Sequence, residues 1–251
     1  MTTPLTTTEV ADGVHRLADA YVNVYLVLDG RQVLLVDTGL PSFWPLIARA
    51  LRQHGRTPAD VVAVALTHAH FDHTGLAARL QRELAVPVWC HPDDMPLARH
   101  PYRYAHENPR AAYPIRHPRA VPILLSMAFA GALRVPGVDD LQPYPAAGTL
   151  PLPGAPRLVP TPGHTSGHCA LHLADRDVVV SGDALVTLDP YTGETGPQIV
   201  AGAATADSAQ ALASLDALAF TGAETVLPGH GEPWHGGIEP AVRLARERGA
   251  H

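Results

Sequence analysis

The side chains best suited to chemistry lie in one short stretch, residues 67–73, which reads Thr-His-Ala-His-Phe-Asp-His. Imidazole and carboxylate groups are ligands that zinc takes in proteins, and iron and manganese accept the same groups. His68 and His70 are two positions apart at the end of an extended run, so both project to one side. Asp72 and His73 lie at the turn into the next predicted helix. The spacing therefore predicts two pairs of ligands that face two neighbouring cations.

Three more candidate ligands share a local pattern elsewhere in the chain. His164, Asp183 and His230 each follow a short apolar run and a glycine. Glycine lets the backbone turn sharply and approach a metal, and the ends of neighbouring strands lie about 5 Å apart. We therefore expect these three side chains to converge on the 67–73 motif.

Runs typical of strands and helices alternate around these positions. Asp29-Gly30 predicts a hairpin, and Ser42 and Gly55 are expected to cap the start and the end of the first helix. The mixture predicts sheets covered by helices. The predicted strands are residues 21–28, 33–37, 61–66, 86–90, 157–160, 169–173, 178–180 and 225–227, and the predicted helices are residues 42–54, 75–84, 206–220 and 238–248.

Residues 92–156 differ in composition, being rich in Pro, Arg, His and Tyr. We interpret residues of about 92–150 as a helical insertion or lid rather than a separate domain, because its own core would be thin. With residues 187–198 it is expected to shape a substrate pocket. The aromatic candidates to line that pocket are Tyr102, Tyr104, Phe129 and Tyr191. Five further histidines near the motifs, His91, His117, His168, His172 and His235, are expected to be structural or on the surface.

Composition excludes several classes of function. The chain has 251 residues, 46% of them apolar, and a formal net charge of −6, so a nucleic-acid partner held by broad positive charge is not expected. No apolar run is long enough to span a bilayer, and the first twelve residues do not have the form of a secretory signal. Cys90 and Cys169 are expected to be buried thiols in a reducing compartment. We therefore expect a soluble cytoplasmic protein with a small-molecule substrate, with a homodimer as one possible assembly.

Taken together, these motifs resemble those of the metallo-β-lactamase fold superfamily over residues 23–234. The residues that carry the resemblance are Val36-Asp37-Thr38-Gly39, the HxHxDH of His68 to His73, Pro162-Gly163-His164-Thr165, Ser181-Gly182-Asp183 and Pro228-Gly229-His230-Gly231. The resemblance implies one domain over residues 1–251, a four-layer αββα sandwich of two mixed sheets flanked by helices, with the metals at one end of the sheets.

The same resemblance implies roles for individual residues. His68, His70 and His164 would hold the first of two divalent metal ions, Asp72, His73 and His230 the second, and Asp183 would bridge both. Asp37 would orient a ligand without binding metal. Zinc is the expected metal, with iron and manganese as alternatives. A bridging hydroxide would be the nucleophile, and Asp72 the catalytic general base.

The branch of the superfamily is harder to assign from the sequence. True β-lactamases usually have cysteine or serine in place of Asp183, and glyoxalase II carries a Cys-Gly-Arg stretch that is absent here. Lactonases share the His-Phe-Asp-His sequence of residues 70–73. They have a substrate-contacting tyrosine at the position that is Val186 in this chain, and Tyr191 is the candidate to replace it. The favoured function is hydrolysis of a small ester, thioester or lactone. A phosphodiesterase, an iron-dependent thiol or persulfide oxygenase and a metal-free binding protein remain the alternatives.

Overall fold

Two β-sheets pack face to face and carry helices on their outer surfaces, in a computed structural model that describes residues 6–251. The first sheet has seven strands in sequence order. They are β1 (Thr6–Ala11), β2 (Val14–Asp19), β3 (Val22–Asp29), β4 (Gln32–Val36), β5 (Val61–Ala65), β6 (Val88–Cys90) and β7 (Leu141–Pro143).

The second sheet is built mainly from the C-terminal half of the chain. Its five strands are β8 (Gly148–Thr149), β9 (Arg157–Pro160), β10 (Cys169–Leu173), β11 (Val178–Gly182) and β14 (Thr225–Pro228), in the spatial order β14-β11-β10-β9-β8. A separate two-stranded ribbon pairs β12 (Val186–Leu188) with β13 (Thr195–Gln198). The ribbon was not predicted from the sequence, and neither were the bounds of β1 and β2.

The helices cover both outer faces. They are α1 (Phe43–Gln53), α2 (Phe71–Thr74), α3 (Ala77–Leu84), α4 (Met95–Arg99), α5 (Tyr113–Arg116), α6 (Ala120–Met127), α7 (Ser208–Ala219) and α8 (Ile238–Arg248). A π-helical turn, Ala128–Ala132, continues α6. None of the helices within residues 6–251 combines the length and the apolar composition needed to cross a bilayer.

Three apolar clusters confirm the predicted four layers. The first packs α1, α3 and α6 on the outer face of the seven-stranded sheet, through residues such as Leu46 and Leu80. The second fills the space between the sheets, where Val36 and Ala65 meet Leu171 and Val180. The third packs α7 and α8 on the other sheet. Burial of these faces drives the assembly, because each sheet and each helix has one apolar side to remove from water.

Strand direction brings the candidate residues to one edge. Strand β5 is parallel to β4, and β14 is parallel to β11. Strand β9 runs in the same direction as β11, because both are antiparallel to β10. The C-terminal ends of these five strands are followed by Asp37, His68, His164, Asp183 and His230, as the sequence pattern predicted.

Two local predictions were wrong. Ser42 does not cap α1 with its side chain: its hydroxyl donates instead to Asp19 Oδ2 at 2.6 Å. The helical insertion ends earlier than residue 150, because β7 and β8 are edge strands of the two sheets. The edge position tolerates Pro143, which would remove a hydrogen bond from a central strand. The prediction that the first twelve residues do not form a secretory signal concerns residues 1–5 in part, and these five lie outside the described residues.

The loop that carries the ligand motif packs tightly on the loop after β4. A Cβ atom at Gly75 would lie 2.2 Å from the carbonyl oxygen of Gly39 and 2.6 Å from Leu40 Cα. Gly75→Ala is therefore expected to lower the free energy of unfolding by about 3 kcal/mol. Gly55→Ala is the control, because no atom lies within 4 Å of a Cβ there and only its φ of +63° costs about 1 kcal/mol. Urea denaturation of both variants measures the difference, and equal losses would contradict this contact.

Candidate metal centre

All seven sequence-predicted ligands meet in one buried cluster between the ends of the two sheets. None exposes more than 6% of its surface. The turn from β5 into α2 supplies the four ligands of the motif, and the loops after β9, β11 and β14 supply one each. The members of the cluster are His68, His70, Asp72, His73, His164, Asp183 and His230.

The ligand atoms form three overlapping groups, of which one is His68, His73 and Asp183 and the other two share no residue. One atom from each of His68, His70 and His164 lies within 4.8 Å of the others, and the same holds for Asp72, His73 and His230. In the first set, His164 Nε2 is 3.0 Å from His70 Nδ1. In the second, His230 Nε2 is 3.3 Å from Asp72 Oδ2. These are the two sets that the resemblance implied.

Asp183 lies between the two sets. Its Oδ2 atom is 3.4 Å from His164 Nε2 and 3.3 Å from His230 Nε2, and its Oδ1 atom is 3.5 Å from His73 Nε2. One carboxylate thus contacts both groups of imidazoles. This position is the one that a bridging ligand needs.

Hydrogen bonds on the outer side orient four of the imidazoles. His73 Nδ1 donates to Asp37 Oδ2 at 2.8 Å, and His230 Nδ1 donates to the Tyr21 carbonyl at 2.8 Å. The hydroxyls of Thr67 and Thr205 donate elsewhere and accept from His68 Nδ1 at 3.1 Å and His164 Nδ1 at 3.2 Å, respectively. Each ring therefore keeps a proton on Nδ1 and turns Nε2 inward.

Several inward atoms are buried without a partner. Among the described residues, no hydrogen bond reaches Nε2 of His68, His70 or His73, or Oδ1 of Asp183. Leaving such groups unpaired costs about 1–3 kcal/mol each. The donor set, imidazole and carboxylate, is one that divalent cations accept. The residues of the centre therefore fit a metal site.

The electrostatics of the centre also favour a cation. Burial acts to lower the pKa of His73, but the Asp183, Asp37 and Asp72 carboxylates outweigh it and raise that pKa to about 9. The same balance raises the pKa of His230 well above its ordinary value. By contrast, burial lowers the pKa of His70 to about 4. The centre thus attracts positive charge beside its carboxylates while its other imidazoles stay neutral.

Asp37 takes the orienting position that the sequence suggested. Its carboxylate accepts bonds from His73 Nδ1, the Thr67 backbone N–H and the Thr67 hydroxyl, each at 2.8 Å. Its backbone has a φ of +60°, an unusual value for a residue with a side chain. The side chain touches the outer nitrogen of His73, so Asp37 positions this imidazole.

Asp94 is a positioning residue that sequence reasoning missed, whereas His168 has the structural role that was expected of it. The buried Asp94 carboxylate accepts from the Ala69 and Gly167 backbone N–H groups at 3.0 and 2.8 Å and from the Thr165 hydroxyl at 2.8 Å. It thereby joins the loop of His68 and His70 to the loop of His164. His168 Nε2 accepts from the Asp183 backbone N–H at 3.0 Å. The only signal in the sequence was the position of Asp94 shortly after β6.

Comparison with known proteins agrees with this geometry. The sequence profile of the metallo-beta-lactamase superfamily matches residues 17–230. The chain belongs to this superfamily. It is 29% identical over 240 residues to the Bacillus subtilis protein named "Probable metallo-hydrolase YflN", which covers 91% of this chain and 87% of that protein.

Solved structures share the fold as well. The metallo-beta-lactamase family protein TTHA1429 from Thermus thermophilus is 27% identical, with a TM-score of 0.64, over 90% of this chain and 74% of its own. TTHA1623, solved in a di-iron-bound form, is also 27% identical, with a TM-score of 0.60, over 98% and 97%. Together with the His/Asp cluster, these relatives support a metal-dependent hydrolase of the metallo-beta-lactamase superfamily.

In this protein, a cavity of about 270 Å³ opens onto the metal centre. Its walls include Asp72, Asp183 and three of the histidines, and Leu124, Met127 and Leu133 of the insertion. Tyr102, Tyr104 and Tyr191 line it as predicted. Phe129 does not: it is 90% exposed and is not part of the cavity wall.

The contacts of Asp94 predict a specific defect. Asp94→Asn replaces one acceptor oxygen with a donor that faces a backbone N–H or a hydroxyl, so we expect a loss of about 2 kcal/mol in the free energy of unfolding. Because two ligand loops lose their common anchor, metal affinity should fall about 10-fold to 100-fold. Chelator competition and urea denaturation measure these effects.

Asp93→Asn is the matched control for Asp94→Asn. The Asp93 side chain is 64% exposed and lies next to Asp94 in the chain. This control should leave both quantities unchanged. Identical behaviour of the two variants would show that Asp94 does not position the ligand loops.

Proposed function

We propose that the chain is a dinuclear metallohydrolase that cleaves a small ester, thioester or lactone. In this proposal zinc is the metal, the first ion is held by His68, His70 and His164, the second by Asp72, His73 and His230, and Asp183 is shared. The observation that carries the proposal is the set of outer hydrogen bonds. They fix an Nδ1 proton of four imidazoles outside the centre and leave four Nε2 atoms facing inward, where a cation can take the place of a proton.

When bound, two divalent cations lower the pKa of water toward about 7 and polarise the oxygen of the scissile bond. The chain supplies the proton acceptor. Asp72 lines the cavity, and although burial acts to raise its pKa, His73 and His230 outweigh this effect and lower it. An ionised carboxylate at this place accepts a proton as the bond to the attacking oxygen forms, which is a general-base role.

The cavity supports a small and partly apolar substrate. Its volume of about 270 Å³ is at the low end for small-molecule sites. Tyr104 and Tyr191 are hydrogen-bonded to each other through their hydroxyls at 3.0 Å, and burial raises the pKa of both. Both phenols therefore stay protonated at neutral pH and offer a donor to a carbonyl oxygen. Tyr191 lines the cavity, and in this proposal it replaces the lactonase tyrosine at whose position this sequence has Val186.

The two thiols support a reducing, cytoplasmic location as part of the proposal. Cys90 and Cys169 are both buried and free. Burial raises the pKa of the Cys169 thiol to about 12, so it stays protonated and unreactive. Neither thiol is among the proposed metal ligands.

Loss of a ligand is expected to remove metal. His68→Ala and Asp183→Asn should each lower the metal content by at least one equivalent and the rate of hydrolysis by more than about 100-fold. Elemental analysis and activity assays of the purified variants measure these changes. His235→Ala, at an exposed histidine, is the control and should keep the full metal content. Full metal content in the Asp183→Asn variant would refute the bridging role.

The same elemental analysis identifies the metal. The ligand set accepts zinc or iron, and one related structure is in a di-iron-bound form. Zinc in the native protein supports hydrolysis. Iron would instead favour the thiol or persulfide oxygenase that the sequence left as an alternative.

The Asp72→Asn variant tests whether Asp72 acts as a general base or only holds metal. In a panel of aryl esters, lactones, thioesters and phosphodiesters, we expect turnover of at least one ester-type substrate. The variant should lower kcat by about 100-fold to 10,000-fold even when elemental analysis shows both metal sets filled. Turnover of phosphodiesters alone would reject the proposed substrate class, and a kcat near that of the native protein would reject the role of Asp72.

A further inference from the structure

The cavity wall contains a cation that the metal chemistry does not use. Arg110 lines the same cavity as Asp72 and His164. It begins a short 3₁₀ turn, Arg110–Ala112, in the insertion. Its side chain is part-buried, with the guanidinium carbon 3.8 Å from the centre of the Tyr104 ring.

Backbone contacts hold the guanidinium in one orientation. Nε donates to the Ala203 carbonyl at 3.2 Å, and Nη2 donates to the Tyr104 carbonyl at 3.2 Å. Stacking on Tyr104 fixes the plane of the group. A planar cation held in this way is preorganised to bind a ligand without further loss of side-chain freedom.

The charge of Arg110 is not balanced by the protein. Among residues 6–251, no carboxylate oxygen lies within 4.0 Å of its nitrogens, and Nη1 makes no hydrogen bond. The pattern differs from that of Arg16, a second part-buried arginine, which is paired with Glu232. A charge taken partly out of water is costly unless an opposite charge pairs with it.

We propose that Arg110 binds an oxyanion on the substrate and so selects esters that carry an anionic group. The guanidinium presents parallel N–H donors that match a carboxylate or a phosphate. Apart from the proposed metal ligands and Arg110, the cavity wall is aromatic or aliphatic, with the hydroxyls of Tyr102, Tyr104 and Tyr191 as its polar groups. The substrate class is therefore a small acyl compound with an ester-type bond at the metal centre and an oxyanion at Arg110. This inference rests on the proposed function.

A pair of matched substrates tests the selectivity. The 4-nitrophenyl half ester of glutaric acid carries a carboxylate, and 4-nitrophenyl valerate has an acyl chain of equal length without one. We expect the native protein to prefer the anionic ester. Arg110→Gln should lower kcat/KM for that ester about 10-fold to 100-fold, mainly through KM, because a charge-assisted hydrogen bond is lost. Its kcat/KM for the valerate ester should change less than about threefold.

Two further variants separate recognition from structure. Arg110→Lys keeps the charge but loses the fork of donors, and should retain part of the preference. Arg103→Gln removes an exposed arginine of the same segment and should have no effect on either ester. If Arg110→Gln slows both esters equally, Arg110 only pins the Tyr104 segment to Ala203, and the inference is wrong.

Measuring the binding of anions directly tests the anion site at Arg110 independently of the proposed ester hydrolysis. Calorimetric titration of the metal-loaded protein with glutarate and with 4-phosphonobutyrate should give affinities that Arg110→Gln weakens at least about 10-fold, and the stronger ligand identifies the preferred oxyanion. If no ester is cleaved but this loss is seen, ester hydrolysis fails and the anion site stands. If the variant binds both anions as the native protein does, the anion site is refuted.

Discussion

The centre depends on one constraint: polar side chains that have been removed from water must face each other in the right protonation state. Four imidazoles meet this constraint by donating from Nδ1 to oxygen atoms outside the cluster, namely Asp37 Oδ2, the Thr67 and Thr205 hydroxyls and the Tyr21 carbonyl. Each of these bonds selects a tautomer as well as an orientation. The inner nitrogens and the Asp183 carboxylate then converge on one another, an arrangement that a positive charge stabilises.

The scaffold keeps those outer partners in register across two sheets. Asn23 and Tyr25 of β3 bond to the Pro228 carbonyl at the end of β14, at 2.8 and 2.7 Å. The loop of His230 is thereby fixed against the first sheet, while Asp94 joins the loop of His70 to that of His164. The apolar layer between the sheets makes these polar bonds strong, because water does not compete for them.

Of the six described residues other than glycine that have a positive φ, three lie at the same places. Asp37 and Tyr21 have φ values of +60° and +65°, and Ala20, beside Tyr21 in the turn between β2 and β3, has +47°. Such conformations cost about 1–3 kcal/mol each when the residue is not glycine. Asp37 and Tyr21 each supply the oxygen that orients an imidazole, so the surrounding packing sustains the strain at the residues that position the ligands.

The sequence alone determined the candidate ligand set and the order of most elements, because ligand type and spacing are local properties. The HxHxDH motif and the three glycine-preceded ligands lie at strand ends in the structure, as the apolar runs indicated. Tertiary structure decided what depends on distant contacts. Asp94 is far from His164 in the chain, and Arg110 meets Ala203 from the other half of the molecule, so no local pattern distinguishes them from surface residues. Phe129 was assigned to the cavity by its type, but it lies in the π-helical turn with 90% of its surface exposed, and no spacing rule reveals this.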